Sequence, residues 1–98
     1  MNERWCGLVK LRGEFVVRQV MDHIVAIPVG STALQINGMV MLNDVSQVIW
    51  ESLQTHTDIE RIVASVTDRF TVSYEEAKAD VAECLDKLRQ AQLLEEEL

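Results

Sequence analysis

Four side chains in this sequence are cysteines or histidines, the types that most often ligate transition metals or form a Cys/His nucleophilic site: Cys6, His23, His56 and Cys84. A metal centre needs Cys or His ligands recurring at short, defined spacings, and a nucleophilic thiol needs a base held beside it. None of the four has a second Cys or His at such a distance. Cys84 also falls within a helical apolar stripe, where a thiol behaves as a small hydrophobe. With only two cysteines, far apart, reduced thiols are expected rather than a disulfide framework. No Gly-rich phosphate loop, nucleophile elbow or HExxH pattern is present. The chain is expected to carry no catalytic residue, no metal and no cofactor of its own.

What remains able to recognise a partner is backbone and apolar surface, and "INGMVMLNDVSQVIW", residues 36–50, concentrates both. Up to Leu42 the residues suit an extended chain. From Val45 onward the apolar positions 45, 48, 49 and 53 recur as on a helix. The period changes at "LND", where Asn43 is suited to cap the first helical turn through its side-chain oxygen. Strand alternation puts Val40 and Leu42 on one face, toward a core, and Met39 and Met41 on the other. Methionine adapts to varied partners, which suits a bound peptide or a homodimer; apolar filler beneath a loop is the alternative.

The elements around this junction follow from the same patterns. "EFVVRQV" and "HIVAIPV" are strands joined by a tight "MD" turn. "GSTALQ" reads as a loop. Asn37-Gly38 favours either a hairpin of 33–36 with 39–42 or a bulge that lets Met39–Leu42 pair back onto Ile24–Val29, and the second is preferred because that strand otherwise lacks a second neighbour. Three helices follow. The first starts at Asn43 and buries Val45, Val48, Ile49 and Leu53, with Trp50 beside them. The second starts at a capping box of Thr57 and Glu60 and buries Ile59, Ile62, Val63, Val66 and Phe70. The third starts at a box of Ser73 and Glu76, with Tyr74, Ala77, Val81, Cys84, Leu85 and Leu88 as its stripe. Lys78, Ala82 and Arg89 border that stripe on one side, and Asp80 and Lys87 on the other. The glutamates of "EEEL" sit near a helix C-terminus, where the macrodipole disfavours negative charge, so 95–98 are expected to fray.

These elements describe an α+β domain, winged helix-turn-helix-like, with a three-stranded antiparallel sheet followed by three helices. With 98 residues there is material for one core, hence a single domain spanning 1–98, with 1–10 as an N-terminal extension. Charges at Glu3, Arg4, Lys10, Arg12 and Glu14 interrupt any signal peptide, and no run approaches a membrane span. The expected setting is cytoplasmic.

In the order and spacing of "IPVG", "NGM" before "LN", "IW" in the first helix, and "ADV" with a terminal "LL" in the third, residues 9–96 resemble the PqqD-like family. Its members are leader-recognition domains, or peptide chaperones, of ribosomal peptide maturation. The chain departs from the family where Cys84 replaces a frequent aromatic, where Gln92 replaces a frequent Gly, and where "QTHT" replaces a Gly between the first two helices. The resemblance implies a non-catalytic adaptor. Such an adaptor binds the leader segment of a precursor peptide in a cleft between the third strand and the third helix, and brings it to a modifying enzyme, frequently a radical SAM maturase. Carried onto this chain, the peptide-binding candidates are Gly38, Met39, Val40 and Met41 on the strand edge, with Lys78, Val81, Ala82, Leu85 and Arg89 on the helix.

A winged-helix DNA-binding protein or transcriptional cofactor is the alternative function for such a fold. It needs a basic helix, since phosphates must be neutralised. Lys and Arg number 9 against 16 Asp and Glu, giving 9 − 16 = −7. The second and third helices both carry more acids than bases. Neither a nucleic acid nor a membrane is an expected partner.

Overall fold

The β-branched runs of the first half form an antiparallel pair, β2 (Phe15–Val20) with β3 (His23–Pro28), in register from Phe15 opposite Pro28 to Val20 opposite His23. Met21 and Asp22 are left as a two-residue turn. Met21 alone of the two has a positive φ, 58°. The computed structural model describes residues 7–35 and 38–97. These fall into two compact units, one holding Gly13–Gln47 and the other the described residues up to Arg12 and from Val48.

In the Gly13–Gln47 unit, the third strand β4 (Val40–Leu42) pairs antiparallel with β3, placing Val40, Met41 and Leu42 opposite Ala26, Val25 and Ile24. The sheet order is therefore β2-β3-β4, and the preferred pairing of the "MVML" segment is the one formed. The alternative hairpin is not formed: residues 33–35 belong to a short helix, α1 (Ser31–Gln35), where a loop was expected. That helix is set by contacts distant in sequence. Gly30 turns the chain with φ of +60°, and the Ala33 amide donates to the Gly30 carbonyl at 3.1 Å. The buried Thr32 hydroxyl accepts the Glu14 amide at 2.8 Å. Gly13 leaves room for Thr32, since a Cβ there would come within 3.1 Å of its side chain. Asn37, on which the choice between turn and bulge depends, lies outside the described residues; Gly38 has φ of +91°.

The cap at Asn43 is formed as expected. Its Oδ1 accepts the Ser46 amide at 2.7 Å and opens α2 (Asp44–Ser52). In the other unit, α3 (Ile59–Arg69) does not begin at a Thr57 box. Asp58 is its N-cap and accepts the Arg61 amide at 2.9 Å. Thr57 is buried instead, its amide and carbonyl exchanged with those of Val9. That bridge claims the backbone that capping would have left free. Ser73 does cap α4 (Tyr74–Gln90), accepting the Glu76 amide at 3.1 Å. Ile62, Val63, Val66, Ala77, Val81 and Leu85 form the centre of this unit's core, each large aliphatic member contributing about 1.5–3 kcal/mol by burial. Tyr74, expected in the stripe, is 48% exposed, because its hydroxyl is held outward by the Glu60 carboxylate at 2.7 Å.

The expected fraying of the tail is replaced by a strand. β5 (Leu94–Glu97) pairs antiparallel with β1 (Leu8–Leu11), which lies within the expected N-terminal extension. Beyond α4 the Leu93 amide donates to the Leu88 carbonyl and the Gln92 amide to the Arg89 carbonyl, with Gln92 at φ of +63°. This is a Schellman ending, and it turns the chain away from the helix axis before the glutamates are reached. Lys10 then stands opposite Glu95, and Arg89 binds Glu96 with Nε to Oε2 at 2.9 Å.

Candidate functional site

β4 is the last strand of its sheet, and its far edge has no strand beside it among the described residues. Amides and carbonyls on such an edge remain available to an added strand. Along it Leu42 is buried and Val40 half-buried, whereas Met39 and Met41 are 57% and 63% exposed. Register extends the face that bears Met41 across Val25 to Arg18. Gly38, at the strand entrance, is exposed, and a Cβ there would meet nothing within 4 Å. Of the candidates, Gly38, Met39 and Met41 are exposed and Val40 half-buried, in one continuous stretch at this edge.

The end of the β3/β4 ladder adds a feature that sequence patterns did not single out. Residues 22–24 and 41–44 line an open recess of about 470 Å³. Asp22 comes from the hairpin turn and Asp44 from the first turn of α2. They become neighbours of one recess only because Ile24 pairs with Leu42, a register not fixed by local pattern alone.

The candidates on α4 form a separate group. Val81 and Leu85 are 0% exposed and lie beneath the surface, so they offer no area to a partner in this state. Ala82 and Lys78 are half-buried and Arg89 is exposed. Lys78 lies 3.8 Å from the Glu60 carboxylate, with its ammonium 5.8 Å from the centre of the Tyr74 ring. Arg89 is engaged by Glu96, and that hydrogen bond holds the Glu96 carboxyl below the usual carboxylate range. The hydroxyl contact with Glu60 raises Tyr74 above the usual phenol value. Both cations of the rim therefore already face a carboxylate within the protein.

His23 and His56 are exposed, and Cys84 is half-buried on α4. Burial pushes the Cys84 thiol up, away from its nucleophilic form. Cys6 lies outside the described residues. Among the described residues no three of His, Cys, Asp and Glu stand close enough to hold a metal ion, and no helix is long and apolar enough to cross a membrane.

Residues 22–94 match the family model of coenzyme PQQ synthesis protein D (PqqD). No curated protein and no solved structure matches the chain. The matched range begins at the β2/β3 turn and ends in the first residue of β5.

Proposed function

The chain belongs to the PqqD family, and from that premise we propose that it is a non-catalytic adaptor that binds the leader segment of a ribosomally made precursor peptide. The leader adds an antiparallel strand to β4 along Gly38–Met41, and the adaptor presents it to a modifying enzyme, a radical SAM maturase, in a cytoplasmic setting. The observation that carries this is the unpartnered edge of β4 bearing exposed Met39 and Met41. Backbone pairing supplies affinity that does not depend on sequence, while alternate side chains supply selectivity. Each apolar leader side chain buried beside a methionine contributes on the order of 1.5–3 kcal/mol, and ordering the peptide opposes the gain. A low-micromolar affinity, about −8 kcal/mol, follows. The family resemblance adds the α4 rim of Lys78, Ala82 and Arg89 as a second contact, with Val81 and Leu85 supporting it from beneath.

The DNA-binding alternative draws little support. Arg61, Arg69, Lys78 and Arg89 each lie within ion-pair distance of a carboxylate, of Asp58, Glu51, Glu60 and Glu96 respectively. Cations so engaged are poorly placed to replace the counterions of a duplex.

A proline scan through Met39, Val40 and Met41, read by calorimetric titration with candidate leader peptides drawn from short reading frames beside this chain's gene, tests the proposal. Strand amides alternate between the partner strand and the free edge, and proline removes the donor. Binding should be lost at positions whose amide faces the edge while the fold persists. Equal binding by all three folded variants would overturn strand addition.

A further inference from the structure

We infer that the recess at the end of the β3/β4 ladder is a selectivity pocket for a lysine or arginine side chain of the bound leader, at the N-terminal end of its docked segment. The inference rests on the strand addition proposed above and names the leader's charge.

Three observations within the Gly13–Gln47 unit converge on it. The recess, about 470 Å³, is lined by Asp22, His23 and Ile24 from β3 and the turn before it, and by Met41, Leu42, Asn43 and Asp44 from β4 and the start of α2. Neither carboxylate has an ion-pair partner among the described residues, unlike those facing the cations of α3 and α4. Asn43, the remaining polar group at the α2 end, is occupied in capping Ser46. Three apolar residues, Ile24, Met41 and Leu42, beside two carboxylates and one imidazole, that of His23, match a side chain that buries a methylene stem and keeps a cation at its tip. An inorganic cation fits less well, since no metal-holding cluster forms among the described residues.

The polarity of the docked strand fixes where the basic residue falls. β4 runs from Val40 to Leu42 toward the recess, so an antiparallel leader runs away from it and meets it with its upstream end. Met41 belongs both to the edge and to the recess, which makes the two contacts continuous. The α4 rim with Lys78 and Arg89 would admit an acidic or amphipathic leader. Both already face a carboxylate, Glu60 and Glu96 respectively, while Asp22 and Asp44 beside the edge have no ion-pair partner among the described residues.

The test uses two sets of titrations on the full chain. First, amide spectra are recorded with Nα-acetyl-arginine N-methylamide, its norleucine counterpart and its glutamate counterpart. The arginine probe should shift residues 22–24 and 41–44, and the other two should leave them in place. Equal shifts with all three overturn the pocket. Second, the leader peptide found to bind the native chain is titrated into Asp22→Asn and into Asp22→Asn with Asp44→Asn. The double variant should bind roughly fivefold more weakly at low salt, with the difference shrinking as salt rises. The single variant leaves the helix N-terminus of α2 untouched and should show part of that loss. Unchanged affinity in both variants, with the proline effects intact, removes the pocket and leaves strand addition standing. Loss of the proline effects removes strand addition instead.

Discussion

Gln92 occupies the left-handed position that ends α4, with φ of +63°, and a side chain there costs about 1–2 kcal/mol relative to glycine. Gln92→Gly should therefore stabilise the protein by about 1 kcal/mol after the greater unfolded-chain freedom of glycine is subtracted, read as a higher denaturant midpoint. A lower midpoint would mean that the ending is not the Schellman turn described. Trp50 is 3% exposed, so Trp50→Ala should cost about 3–5 kcal/mol, whereas a loss below about 1 kcal/mol would place the ring at a surface. Single-residue features were legible in the sequence where one local bond decides them. Asn43 and Ser73 cap as their spacing predicts. Thr57 misled because its backbone is claimed by Val9, far away in sequence, and Asp58 was the next capping side chain available.

At the scale of elements, the β2–β3–β4 ladder and the three longer helices followed from periodicity, since alternation and the 3.6-residue recurrence are local. α1 and the β1/β5 pair did not. α1 depends on the Thr32 hydroxyl meeting the Glu14 amide, and Gly13→Ala should lower the melting temperature by crowding Thr32 at a positive φ. An unchanged melting temperature would show that Thr32 yields freely. In β5, Glu96 contributes through Arg89, which holds its carboxyl below the ordinary range. A depressed carboxyl stabilises the fold above its unfolded-state pKa and loses that contribution as pH falls through the folded value. Thermal melts between about pH 6 and pH 3 should thus show the native chain losing stability more steeply than Arg89→Gln, around and below the ordinary glutamate value of about 4.3. Parallel curves would mean the pair adds nothing to the strand.

Across the molecule, net charge by itself narrows the function, because 9 − 16 = −7 leaves little for a phosphate backbone. The strand edge of the candidate site was also visible in the sequence, since Met39 and Met41 alternate with Val40 and Leu42. The state of Lys78 and Arg89 was not, because Glu60 and Glu96 reach them from other elements. The recess between residues 22–24 and 41–44 escaped for the same reason, as it exists only through strand register. The most direct test of the adaptor account is an amide-resolved NMR titration of the full chain with candidate leader peptides drawn from short reading frames beside its gene. The account predicts shifts centred on residues 38–44, with secondary changes along 78–89. Shifts gathered on α3, with residues 38–44 unmoved, would contradict it.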